Sequence, residues 1–347
     1  MQPYNGGNDP QRGGVYSTGH GFYNPYAEPE WKREKKRIRA AGNGIGLASV
    51  GYVAISFGAV LFLYAAIGVV NALRGGNFME VGENAQWVVT LITYILSLIV
   101  PFGIYALCIQ MPIGAAFPFR KMRGDITVGG IFVGLGAGIV ASYATSYLEQ
   151  ALGLFGIGIS MPELEIPTAL SAKIIYIITM TVAPAFIEEM VFRGIVMQSL
   201  RRFGDMFALV SSALIFGIFH LNLIQTPYAF ILGLCIGYFV MRTGSLWVGV
   251  IMHFLNNSIA TVLTLAEPYC SEEMFLFINL AYSLAAVMCG IIALCLLLVK
   301  YRDMFRFGDA PGVLPSGKRA AYFLTSPALI IAMLTAVVLT AQYIEIL

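Results

Sequence analysis

Ala183-Pro184-Ala185-Phe186-Ile187-Glu188-Glu189-Met190-Val191-Phe192-Arg193 sets two adjacent carboxylates and a guanidinium inside an otherwise apolar helical run. At membrane depth an ionisable group costs about 2.5–3.5 kcal/mol on insertion scales, so three together call for a function or for partners. Glu189 and Arg193 stand four apart with the acid first, the favourable order for an ion pair on one helix face. Successive residues diverge by about 100° around a helix, so Glu188 points away from that pair and is free to look towards another element. A structural ion pair with a spare acid explains this stretch as readily as a reactive carboxylate does. The rest of the chain separates the two.

The 347 residues are 58% hydrophobic and 12% charged, with a mean hydropathy of +0.77. A water-soluble domain carries about 25% charged residues, so the expectation is an all-α, polytopic transmembrane helical bundle. Nine apolar stretches approach the ~20 residues that a bilayer requires. They lie near 44–72, 87–109, 126–147, 171–200, 206–222, 225–241, 245–266, 274–299 and 324–346. The fifth and sixth are short and barely separated, which allows a re-entrant arrangement.

Residues 1–40 read as a disordered cytoplasmic tail ending in the basic cluster Trp31–Arg39, and 41–347 as the membrane domain. Such a cluster beside a first span is an anchor for anionic lipid, not a nucleic-acid site. Loops expected in the cytoplasm carry Arg120, Lys121 and Arg123, then Arg201 and Arg202, Arg242, and Lys300 to Arg319. The alternate loops carry Glu80, Glu83, Glu149, Glu163, Glu165, Glu267, Glu272 and Glu273. By the positive-inside rule the N-terminus is cytoplasmic, and nine spans leave the C-terminus outside a cell membrane. The five cysteines form no CxxC pair and read as buried small hydrophobes. The glycines of the third stretch (Gly129, Gly130, Gly134, Gly136, Gly138) read as a close-packing face.

Two histidines fall in apolar stretches. Phe216 and His220 are four apart, as are His253 and Asn257, so each pair shares a helix face. At ~1.5 Å per residue, Glu188 lies about 20 Å from the end of its stretch at Arg201, and His220 about 21 Å from Met206. On the same count His253 lies about 12 Å and Asn257 about 18 Å from Ser245. Antiparallel helices therefore bring these groups into one slab. There a carboxylate and an imidazole can deprotonate a water, while an imidazole and a carboxamide stabilise an oxyanion. Glu188, His220 and His253 are equally a zinc-ligand set, so zinc is possible, though no cofactor is required. Neither histidine has an obvious carboxylate partner in sequence, because Glu189 is taken by Arg193. That, with the amide of Asn257, favours water activation without a tightly bound ion.

The ordered strings EExxxR (Glu188, Glu189, Arg193), FxxxH (Phe216, His220) and HxxxN (His253, Asn257) resemble the CPBP intramembrane endopeptidases, also called the Abi or type II CAAX prenyl protease family. The resemblance covers a core at about 171–265. It implies that Glu188 and His220 activate water, that His253 and Asn257 line the oxyanion site, and that Glu189, Arg193 and Phe216 support them. It implies a glutamic or metallo-endopeptidase acting on a prenylated, peptide or other membrane-associated substrate that enters from the membrane or its cytoplasmic side. The rival reading is a non-catalytic scaffold or a bacteriocin self-immunity protein that keeps the fold.

Overall fold

The computed structural model describes residues 28–73, 82–160, 165–308 and 312–347. The tail before residue 28, Glu80 and Glu163 lie outside the described residues. The chain is a helical bundle: α1 (Glu30–Leu73), α2 (Glu83–Cys108), α3 (Gly124–Leu154), α4 (Leu170–Phe203), α5 (Asp205–Ile218), α6 (Gln225–Thr243), α7 (Leu246–Tyr269), α8 (Glu272–Lys300), α9 (Ser316–Leu324) and α10 (Pro327–Ala341). Large apolar side chains such as Phe62, Leu107, Val262 and Leu296 point outward, as they do on a surface solvated by lipid. The basic stretch 31–39 forms the first turns of α1 and is not a tail.

The expected nine spans are not what forms. Among the described residues seven helices are long and apolar enough to cross a membrane, and eight if the bent pair α9–α10 counts as one. That pair turns by 68° at its break. Pro327 causes the break, because proline excludes the helical region for the residue before it, and Ser326 is extended (φ −70°, ψ 129°).

The fifth stretch is also shorter than its hydropathy suggests. Helix α5 has 14 residues, about 21 Å at ~1.5 Å per residue against a hydrocarbon core of ~30 Å. It stops because Leu221 takes a left-handed φ of 49° and Asn222 restarts the chain. The Asn222 side-chain oxygen accepts from the Ile224 and Gln225 amides at 2.9 and 3.0 Å, capping α6. Helices α5 and α6 then pack as an antiparallel hairpin.

The ends of the bundle are tied by specific contacts. Glu34 on α1 pairs with Arg319 on α9 at 2.7 Å and accepts from the Val313 and Leu314 amides. Arg319 also donates to the Phe203 carbonyl at the end of α4. Lys300 of α8 meets Asp125 of α3 at 2.6 Å, and Arg242 donates to the Asp303 carbonyl. The basic loops thus gather on one face. On the opposite face Glu83 accepts from the Thr168 and Ala169 amides, which begin α4. Beyond α3 a short strand β1 (Ile157–Ile159) pairs antiparallel with β2 (Ile344–Ile346), with Gly158 opposite Glu345. The C-terminal strand therefore sits on the face away from the basic loops.

The glycines of α3 do pack closely. A Cβ on Gly136 would stand 3.0 Å from the Ala286 carbonyl, and one on Gly290 would stand 2.9 Å from the Phe132 carbonyl, so α3 and α8 touch backbone to backbone. The expectation of buried cysteines fails for three of the five and holds only in part for the others. All are free thiols; Cys108, Cys289 and Cys295 lie on the outward surface, and Cys235 and Cys270 are half-buried.

Candidate active site

Helix α4 is not a regular α-helix where it matters. It widens into π-helical turns at Ile178–Val182 and again at Glu189–Val196, on either side of Glu188. Such turns release a carbonyl from the regular ladder and recur at functional sites. Here the carbonyl of Met180, in the first wide segment, accepts from the Asn257 amide at 3.2 Å.

Glu189 and Arg193 form the expected ion pair, Nη1 to Oε1 at 2.8 Å, with both side chains essentially sealed from solvent. The Arg193 guanidinium lies over the Phe216 ring, 4.1 Å from its centroid. A buried pair of this kind contributes little net stability, but loss of one partner strands the other charge. Glu189 does more than pair with Arg193: the same Oε1 accepts from His253 Nδ1 at 2.9 Å. Room for that carboxylate comes from Gly249, one turn earlier on α7, where a Cβ would fall 2.6 Å from Glu189 Oε2.

This corrects one expectation: His253 has a carboxylate partner after all. Glu188 meets the same ring from its other nitrogen, with Oε2 3.8 Å from His253 Nε2. The two imidazole nitrogens lie on different edges of the ring, so two consecutive glutamates bracket it. Nδ1 faces Glu189, and Nε2 faces Glu188.

Glu188 is held from the other side by a residue that the sequence did not single out. Tyr94 on α2 donates its hydroxyl to Glu188 Oε1 at 2.6 Å. Its only signal was a polar-tipped ring within the apolar stretch 87–109, which many membrane tyrosines share. With Oε1 occupied, Oε2 remains a buried acceptor with no hydrogen-bond partner among the described residues.

His220 lies just beyond α5 and not within a span. Its Nδ1 donates to the Phe216 carbonyl at 3.0 Å, capping the helix end and leaving Nε2 as an acceptor. Phe216 packs edge-on against both His220 and His253.

Two cavities meet at His220 and Gln225. The smaller, about 410 Å³, also exposes Glu188, Tyr94, Tyr52 and Phe219. The larger, about 570 Å³, exposes Asn257 and its neighbour Asn256. The structure thus joins Glu188, Glu189, Arg193, Phe216 and His253 by direct contact and sets His220 between the cavities. Asn257 faces the larger cavity, one helical turn from His253.

The zinc set does not assemble. Among the described residues no three His, Cys, Asp or Glu side chains stand close enough together to hold a metal ion.

No curated protein and no solved structure matches the chain. Residues 170–259, which carry every one of the three motifs, match the family model described as type II CAAX prenyl endopeptidase Rce1-like. By that match the core of this chain is similar to the CAAX membrane proteases, as the ordered motifs imply.

Proposed function

We propose that the chain is an intramembrane endopeptidase that hydrolyses a peptide bond of a membrane-associated substrate with a water activated by Glu188 and a histidine. The observation that carries this reading is Glu188 Oε2, a buried acceptor without a hydrogen-bond partner among the described residues, 3.8 Å from His253 Nε2 and in a cavity shared with His220. Tyr94 orients the carboxylate by occupying Oε1.

In this reading His220 is the second acceptor, since its Nδ1 is committed to Phe216 and Nε2 is left as the acceptor nitrogen. As the water oxygen bonds to the scissile carbonyl carbon, Glu188 takes the proton. His253 enters this step protonated at Nε2, balanced by Glu189 at Nδ1, and donates to the oxyanion together with the second amide hydrogen of Asn257. Each such donor contributes about 3 kcal/mol to transition-state stabilisation. The C–N bond then breaks, and the amine leaves with the proton that Glu188 holds. Arg193 balances Glu189 and keeps its carboxylate in place.

The short Glu188–His253 approach favours a second assignment, in which the two histidines exchange roles. Raised pH separates them: hydroxide partly replaces a lost base but not a lost oxyanion donor. Of His220→Gln and His253→Gln, the variant whose activity recovers at high pH identifies the base.

The basic face is assigned to the cytoplasm of a cell-membrane protein on the charge of its loops. The test of function compares peptides released by cells carrying the wild type and Glu188→Gln. A peptide that disappears only in the variant supports proteolysis. Identical peptide profiles favour the scaffold or immunity reading.

A further inference from the structure

The lining of the two cavities bears on what can be cut. Ser142, Tyr228, Asn256, Asn279, Tyr282 and Ser283, from four different helices, supply the larger one with hydroxyls and carboxamides. Several are already chained: Tyr228 donates to Asn256, Asn256 to Asn257, and Asn257 to the Met180 carbonyl. Among the described residues no lysine or arginine lines either cavity. The smaller cavity contains a carboxylate, Glu188. The nearest guanidinium, Arg193, is 1% exposed, paired with Glu189 and covered by Phe216, so its charge is not offered to a ligand.

Neutral donors and acceptors match the amides of an extended peptide. A carboxylate brought among them would be desolvated with no lysine or arginine in the lining to meet it and with Glu188 to repel it. An extended chain advances about 3.3 Å per residue, so the first two residues on either side of the scissile bond remain within about 7 Å of it. In the proteolytic reading these residues lie in the two cavities, which share His220 and Gln225.

We propose that this site selects internal peptide bonds flanked by uncharged residues, and that it discriminates against a free C-terminal carboxylate, or an Asp or Glu, within two residues of the bond. This rests on the proteolytic reading and narrows its substrate class. A bond near a free chain end is disfavoured unless the carboxylate lies beyond the cavities.

The test uses the full chain in lipid nanodiscs and pairs of neutral, quenched-fluorescent peptides that end two residues after the scissile bond. Members of a pair differ only in a terminal carboxylate or carboxamide. The carboxamide is expected to be cut at least tenfold faster, and its fluorescent analogue to bind Glu188→Gln at least tenfold more tightly. The binding arm removes the Glu188 charge and so reads the cavity lining alone. Equal cleavage and equal binding of the two ends overturn the proposal, as does an absence of saturable binding by either peptide. Selective binding of the carboxamide without cleavage by the wild type leaves the charge rule standing and removes the proteolytic reading instead.

Discussion

Glu189 Oε1 stands 2.9 Å from His253 Nδ1 while holding Arg193 at 2.8 Å, so one buried oxygen fixes both a cation and the tautomer of an imidazole. The ion pair of the EExxxR string and the histidine of the HxxxN string are therefore one unit. Glu188, the next residue back, faces the other nitrogen of the same ring. In the proposed scheme the structural and the reactive carboxylate are neighbours in sequence with separate roles.

That separation is open to measurement. Glu188→Gln is expected to abolish cleavage with thermal unfolding nearly unchanged. Arg193→Ala, which strands Glu189 in a sealed site, is expected to destabilise the protein by about 3–5 kcal/mol. Equal loss of folded protein in both variants would contradict the division of roles.

Tyr94→Phe removes one charge-assisted hydrogen bond from Glu188 and leaves the ring in place. Such a bond is worth about 1.5–3 kcal/mol, so kcat is expected to fall about 10- to 100-fold at ~1.4 kcal/mol per decade, with KM little altered. A rise in KM at constant kcat would mean that the phenol contacts substrate and does not orient the base.

Asn222 starts α6 and so fixes where His220 stops. Asn222→Ala loses a side-chain cap, at a cost of about 0.5–2 kcal/mol in stability. Activity is expected to fall further than the unfolded fraction accounts for, because His220 loses its register against Glu188. Full specific activity in the folded fraction would show that the turn does not position the histidine.

Strand pairing tests the arrangement of the bundle. Gly158 and Glu345 are directly opposed, so cysteines at these two positions are expected to cross-link under mild oxidation. Either one alone should react with impermeant reagent from the side opposite to a cysteine at Lys318. Labelling of positions 345 and 318 from the same side would contradict this arrangement.

Activity of the purified chain is expected to survive prolonged dialysis against a chelator, since Glu188, His220 and His253 do not converge as a ligand set. Stoichiometric zinc, lost together with activity and restored with it, would overturn the scheme in which water is activated by side chains alone.

Composition and hydrophobic run length were enough to establish a polytopic helical membrane protein, because the bilayer requires long apolar stretches whatever their packing. Spacing was enough to place Glu189 with Arg193, Phe216 with His220, and His253 with Asn257, since each pair is separated by one helical turn. The span count was not legible to the same degree. Hydropathy registers apolar residues but not the left-handed Leu221 that ends α5, nor the bend before Pro327. The partners within the site were decided only by tertiary structure. Tyr94 lies 94 residues from Glu188, and His253 lies 64 from Glu189. No periodicity along one helix encodes which side chain of another will meet it; that depends on the close approach allowed at Gly249 and on the widened turns of α4.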